Sequence, residues 1–288
     1  MKIQVMLVYC VIIIVIAMTM IMIKRNCLLE EMVQLKNTSY KDIMVEFYRD
    51  KDVYDNRALL YSLRNFYIQQ PSTLQYNISQ PEIMNPSPGQ TQFIDDYLKH
   101  MRNGFFVDSG AFDGEHLSNS LFLERFRNWT GILIEPNPDI YKSLISKHRK
   151  AYSINACLST TKYASVETFF TGKMPVLGKV VNDRNISNGN SEKYIQVQCF
   201  PLYTILLAIG RLELDYFSLD VEGAERGVLD TIPWEKVNIK TISIEHNKWA
   251  GGKMNLKLYM ETKGYTLIKE IHVRVAPDLI FVRRKTSL

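Results

Sequence analysis

The sequence predicts an α/β fold, a Rossmann-like sandwich of about seven strands crossed by helices and closed by an antiparallel hairpin. Two observations carry this. From Gln90 onward short apolar runs alternate with helical segments, and Ala276-Pro277-Asp278 places a turn between two last strand-like runs, Thr266–Val273 and Leu279–Val282.

The elements follow in order. Phe105–Asp108 is an apolar run stopped by an acid and a glycine-bearing turn, and Leu117–Phe126 reads as a helix with Leu117, Leu121 and Phe122 on one side. Gly131–Glu135 is a strand halted by Pro136 and Pro138, Ile140–His148 a helix, and Ala151–Leu158 a third strand. Ser165–Phe170 is β-like, Gly172–Glu192 is a polar insertion that reads as a mobile loop, and Ile195–Cys199 resumes as a strand. Leu202–Ile209 is a helix closed by Gly210. Tyr216–Asp220 and Thr241–Glu245 have the apolar character of buried strands, with helix Ala224–Leu229 between them. Leu256–Lys263 is a helix ended by Gly264.

Composition bounds the function classes. With 46% hydrophobic and 23% charged residues, the chain is neither disordered nor collagenous. Its 35 basic and 30 acidic residues leave a net charge of +5, spread along the chain apart from Arg283-Arg284-Lys285, which argues against a nucleic-acid partner. Four cysteines are too few for a disulfide scaffold and lack zinc-site spacing.

One segment departs from this average. Ile3–Ile23 carries no charge and is long enough, at about 1.5 Å per residue, to cross a bilayer core of about 30 Å. A cleaved signal peptide normally has a shorter apolar stretch and small residues at its cleavage site, whereas Lys24 and Arg25 follow bulky residues here. An uncleaved signal anchor over residues 1–25 is therefore expected. The positive-inside rule taken alone slightly favours a cytoplasmic C-terminus. Four Asn-x-Ser/Thr triplets, at Asn37, Asn77, Asn128 and Asn185, point the other way, to a type II protein with Lys24–Leu288 in the lumen of the endoplasmic reticulum or Golgi. Cys157 and Cys199 could be oxidised there, though spacing does not show that they meet. Residues 26–89 read as a helical stem and Pro-rich linker, and 90–288 as the α/β domain.

Two strand ends carry candidate chemistry. Val107-Asp108-Ser109-Gly110-Ala111-Phe112-Asp113-Gly114 is a glycine-bearing turn before a helix, where backbone can approach a ligand closely. Phe112 stands where many nucleotide folds place another glycine, which suits a cofactor without a pyrophosphate. Glu135, about 20 residues further on, holds the position of a ribose-binding carboxylate, and Asn155 at the third strand end that of an adenine-edge residue. Asp220 closes a central strand, at the edge where ligands bind in open α/β sheets.

These residues resemble the FkbM-type S-adenosylmethionine-dependent methyltransferases over roughly Phe105–Val282: V-D-x-G-A at Val107–Ala111, I-E-P at Ile134–Pro136 and D-V-E-G-A-E at Asp220–Glu225. The resemblance implies that Asp108, Gly110, Ala111 and Gly114 line the methionine and ribose part of S-adenosylmethionine, that Glu135 holds the ribose, and that Asp220 faces the reacting centre. A lysine frequent before the family's D-V-E-G is absent, with Ser218 two residues before Asp220. The wider pattern, including Gly114–Leu121 and Ser243–Asn247, is similar to the arthropod Star-like branch. That likeness implies an alternative role, an escort for export of a membrane client such as an EGF-receptor ligand precursor from the endoplasmic reticulum.

If the domain is an enzyme, the expected reaction is O-methyl transfer. His246 is the candidate base, with Asp220 orienting it or the acceptor; alternatively, Asp220, Glu245 and His246 bind a divalent ion.

Overall fold

The computed structural model describes residues 13, 16–22, 57–171, 178–181, 194–272 and 277–284. The chain divides into two units after Asp50. In the first, residues 16–22 are helical, with Ile16, Met18, Met20, Ile21 and Met22 exposed. Among the described residues no helix is long and apolar enough to cross a membrane, and most of Ile3–Ile23 lies outside them.

In the second unit a mixed eight-stranded sheet forms the centre. In chain order its strands are β1 (Ile68–Gln69), β2 (Phe105–Ser109), β3 (Thr130–Ile134), β4 (Tyr152–Ile154), β9 (Glu213–Leu219), β10 (Asn238–Glu245), β11 (Tyr265–Ile271) and β12 (Asp278–Arg283). They lie side by side as β1-β4-β3-β2-β9-β10-β12-β11. The five from β4 to β10 are parallel, and β12 runs antiparallel to both β10 and β11. Parallel strands need crossovers, which cover both faces of a sheet, so interior strands are largely apolar. β2 is buried over all five residues, apolar from Phe105 to Val107 and polar at Asp108 and Ser109, its ligand-facing end. The register sets Asp108 beside Ser218 and Ser218 beside Ser243.

The core on one face gathers Ile94, Phe106, Leu123, Leu133, Leu144 and Tyr216. Helices α1 (Arg57–Ser62), α2 (Gln90–Tyr97), α3 (Leu121–Arg127), α4 (Pro138–Ser146), α5 (Leu202–Ile209), α6 (Glu225–Thr231) and α7 (Gly252–Thr262) complete the described unit, with a π-helical turn at Leu63–Tyr67.

Four sequence expectations need correction. The main sheet has eight strands because residues upstream of Gln90 join it: β1 pairs antiparallel with β4, Ile68 opposite Ile154. Ala151–Leu158 is two strands, because Asn155 turns the chain by donating its amide to the carbonyls of Glu135 (2.8 Å) and Pro136 (3.1 Å). Cys157–Leu158 then becomes β5 of a second sheet, ordered β5-β8-β6-β7, with β6 at Ser165–Phe170, β7 at Lys179–Val181 and β8 at Tyr194–Phe200. Thus part of the polar insertion is a strand, and its other residues lie mostly outside those described. Helix α3 starts at Leu121 rather than Leu117, since Leu117 has φ 54° and cannot continue a right-handed helix.

Residues 68–80 are bound to the α/β layer. Ser72 and Asn77 N–H donate to the carbonyls of Arg149 and Lys147, both at 3.0 Å. The Glu115 carboxylate accepts the N–H groups of Ser79 (2.9 Å) and Gln80 (2.7 Å) together with the Lys147 ammonium (2.6 Å). Burial opposes ionisation of Glu115, but these donors outweigh it and hold its pKa down at about 2.

Cys157 and Cys199 stand directly opposite in the parallel β5/β8 pair and form a disulfide with Cα atoms 4.4 Å apart. It closes a loop over a sequence separation of 42. Chain-entropy arguments give such a loop about 4 kcal/mol, so Cys157→Ala/Cys199→Ala is expected to lower unfolding stability by about 2–4 kcal/mol. Urea titration followed by tryptophan fluorescence would measure this; an unchanged midpoint and slope would show that the bond contributes nothing.

Candidate functional site

The C-terminal ends of β2, β3 and β9 open into one solvent-accessible cleft, with about 1000 Å³ of empty space that includes open solvent. Their loops are pinned together by backbone. Gly110 and Ala111 N–H both donate to the Ile134 carbonyl (3.0 and 3.1 Å), and Asp220 N–H donates to the Ser109 carbonyl (3.2 Å). Gly110 has φ 82°, and a Cβ there would collide with the Asp220 carbonyl oxygen. Only glycine satisfies both conditions.

Asp108, Gly110, Ala111, Glu135 and Asp220 all line the cleft. Asp108 is 4% exposed and accepts the Ser120 hydroxyl at 2.6 Å. Burial raises its pKa, against the pull of Ser120 and Arg149. Glu135 accepts the N–H of Phe112 (3.0 Å) and of Asn137 (2.8 Å), one on each oxygen. Burial dominates even so and pushes its pKa up to about 7. The carboxylate is held in place with lone pairs still open to hydroxyl donors. Phe112 itself has φ 49°, a left-handed conformation that turns its N–H onto Glu135.

Four expected residues sit elsewhere. Gly114 shapes the loop without lining the cleft: its φ is 75°, its N–H donates to Ala111, and its carbonyl takes the Arg149 guanidinium. Asn155 is spent on the Glu135 and Pro136 carbonyls and is not among the lining residues. Glu245 lies behind the lining, its carboxylate oxygen within 4.8 Å of those of Asp220 and Glu222. His246 turns away from this group, with Nε2 3.9 Å from Glu270 on β11. Burial lowers the His246 pKa, despite Glu270 nearby.

The structure adds Ser109 and Asn119, which the sequence carried only inside longer motifs, and gives Ser218 a partner. Ser109 lines the cleft, 1% exposed, and its hydroxyl has no hydrogen-bond partner. Asn119 donates its amide to the Ser218 hydroxyl at 3.0 Å, and both line the cleft. Leu158, Phe169 and Val180 form an apolar wall from the smaller sheet. A short helix N-terminus flanked by Ser118, Asn119 and Ser120 was the available signal for the first group.

With this geometry in hand, the comparisons decide the family. Residues 108–271, more than half of the chain, match the methyltransferase FkbM domain. The chain belongs to the FkbM methyltransferase family. Membership implies S-adenosylmethionine as the cofactor. Among solved structures, the chain is similar to methyltransferase FkbM from Methylobacillus flagellatus (14% identity, TM-score 0.40, covering 78% of this chain and 53% of that one). It is also similar to the METTL16 methyltransferase domain (11%, TM-score 0.41, 79% and 78%). A third likeness is to a TehB-like SAM-dependent methyltransferase from Corynebacterium glutamicum (11%, TM-score 0.36, 68% and 88%). No curated protein matches the chain in sequence.

The FkbM cleft fits that cofactor. The orphaned Ser109 hydroxyl, the backbone approach at Gly110 and the anchored Glu135 carboxylate offer polar partners where the ribose and methionine portions need them.

Three predictions follow from this geometry. Gly110→Ala is expected to destabilise the fold by at least about 2 kcal/mol, because it combines a left-handed Cβ with a backbone collision; thermal or urea unfolding would show it. Glu135 binds hydroxyl donors best when ionised, so cofactor affinity should rise with pH through about 7. Calorimetric titration with S-adenosylmethionine at several pH values should show that rise in the wild type and a weak, flat response in Glu135→Gln. The same burial makes ligand-free stability fall as pH climbs from 4.5, the ordinary value, through about 7.

Proposed function

We propose that this FkbM protein is a membrane-anchored, S-adenosylmethionine-dependent O-methyltransferase of the secretory pathway. The observation that carries the reaction is the placement of Asp220 on the cleft wall beside the Gly110 loop that Glu135 supports from the next strand. S-adenosylmethionine supplies a sulfonium methyl group. Glu135 and the Ser109 hydroxyl hold the cofactor's polar edge. Asp220 accepts the hydrogen bond that orients an acceptor hydroxyl toward the methyl carbon. With the cofactor bound, its electrophilic methyl group would be within reach of that hydroxyl, whose proton would pass to water. His246 is not placed to act as the base, since it faces Glu270 and does not line the cleft.

The compartment is supported by the Cys157–Cys199 disulfide, a bond favoured in oxidising lumens, and by exposed Asn77 and Asn128 in glycosylation triplets. Ile3–Ile23 is the proposed anchor, in type II orientation.

A second reading, the Star-like escort of a membrane client, is favoured by Ser218, which stands in place of the family's frequent lysine and is engaged by Asn119. The two readings part on calorimetry of the detergent-solubilised full chain with S-adenosylmethionine. Micromolar binding that Glu135→Ala lowers by about tenfold or more (about 1.4 kcal/mol) is expected for the enzyme. No heat would sink it and leave the escort role. Glycosidase treatment of the expressed chain is expected to increase its mobility, and Asn77→Gln/Asn128→Gln to reduce that shift; no shift would remove the lumenal placement.

A further inference from the structure

A second cavity borders the cofactor loop. This groove, with about 990 Å³ of empty space that includes open solvent, lies between the loop and the upstream Pro-rich segment: Ile83 and Pro86 line it from the segment, Phe112, His116 and Leu117 from the loop. The same three loop residues also line the cofactor cleft, so the two cavities share a wall. Two residues beyond Leu117, Asn119 donates to the Ser218 hydroxyl on the strand that leads to Asp220.

Leu117 is the unusual member of that wall. Its φ of 54° lies in the left-handed region that bulky side chains avoid, and its side chain is 51% exposed, so the strained conformation gains little burial in return. Ile83, from the segment, is 41% exposed. Single exposed apolar residues are common, but these two line one cavity that adjoins a ligand site. The charged groups of the groove are already engaged. Lys147 is the one lysine or arginine on its lining among the described residues, and its ammonium goes to Glu115 and to the Ser79 hydroxyl, both at 2.6 Å. Asp113 closes its own turn by accepting the N–H groups of Glu115 (2.9 Å) and His116 (2.7 Å). The His116 ring packs on Phe112, centroids 6.1 Å apart. An anion entering the groove therefore finds no free cation, whereas an apolar body finds Ile83, Pro86, Phe112 and Leu117.

We infer that this groove binds the methyl acceptor, and that the acceptor is an uncharged alcohol or phenol with an apolar body. The body lies between Ile83 and Leu117, and the hydroxyl end passes Asn119 and Ser218 toward Asp220. Glu135 and Ser109, which hold the cofactor, line the cleft and not the groove, so the groove is left to the second reactant. An occupant would bury Leu117 and so offset the cost of its backbone conformation. That the occupant is the acceptor rests on the methyltransferase reading; the binding of an apolar, uncharged molecule does not.

The test uses the full chain in lipid nanodiscs, without S-adenosylmethionine, photolabelled with 4-octylphenol that carries a diazirine in its alkyl chain. Mass spectrometry then locates the label, and peptides from Arg57 onward are counted, which sets aside label taken up within the bilayer. Expected is label concentrated on the peptides that hold Ile83 and Leu117. Leu117→Asp and Ile83→Asp should each lower it by about fivefold or more, while Met254→Asp, at a similarly exposed apolar position on α7, leaves it unchanged. Aspartate tolerates a left-handed φ better than leucine, so Leu117→Asp should fold; should it not, Ile83→Asp gives the same reading. 4-Octylbenzoate with the same diazirine should label these peptides about tenfold less. Label spread over exposed apolar residues in general, undiminished in the folded variants, or equal with the benzoate overturns the site. Calorimetry with S-adenosylmethionine on the same nanodiscs separates the two claims: cofactor binding without groove label sinks only the groove, and groove label without cofactor binding sinks only the methyltransferase reading.

Discussion

The cleft depends on a contact that exists because a side chain is missing. Gly110 brings the loop after β2 against the Asp220 carbonyl after β9, while its own N–H reaches the Ile134 carbonyl at the end of β3. Three strand ends are thereby locked to one another through backbone. Backbone geometry is stiffer than side-chain geometry, so the carboxylates that follow these strands inherit fixed positions. Glu135 and Asp220 owe their common cleft to this knot rather than to any attraction between them, since like charges would drive them apart.

A second layer of constraint comes from upstream. The Glu124 carboxylate meets the Arg149 guanidinium at 3.0 Å, both almost wholly buried, and Arg149 also reaches the Gly114 carbonyl and the Ser120 hydroxyl. Ser120 in turn donates to Asp108 in the cleft. Glu115, two residues before Leu117, collects the Ser79 and Gln80 amides and Lys147. The Pro-rich segment is thus strapped to the same loop that bears the cofactor cradle. Buried pairs of this kind stabilise little in net terms, but losing one partner leaves a charge stranded, which fixes the arrangement.

Much of this was legible from residues alone. Interior parallel strands are largely apolar, and acids at or just after their C-terminal ends fall on the ligand edge, which is why Asp108, Glu135 and Asp220 could be placed on one side of the sheet. The break inside Ala151–Leu158 was hidden because both halves are apolar and the turn is made by a tertiary hydrogen bond from Asn155. β1 was hidden by its length of two residues. The pairing of Glu245 with His246 failed for a reason that strand geometry contains: consecutive residues at a strand end point to opposite faces, so only one can meet Asp220. Glu222 comes near Asp220 and Glu245 through a left-handed φ that an acid residue type does not announce.

The Cys157–Cys199 bond lies where the smaller sheet meets the cleft, for Cys157 and Leu158 are themselves lining residues. The chain between the two sulfurs, which carries β6, β7 and most of β8, is a ring closed covalently at one point. Loop closure entropy changes slowly with length, so residues added to or removed from that ring alter the rim over the cleft while the cofactor cradle on the larger sheet keeps its shape. The length of this covalently bounded stretch can therefore vary without reopening the problem of folding the rest.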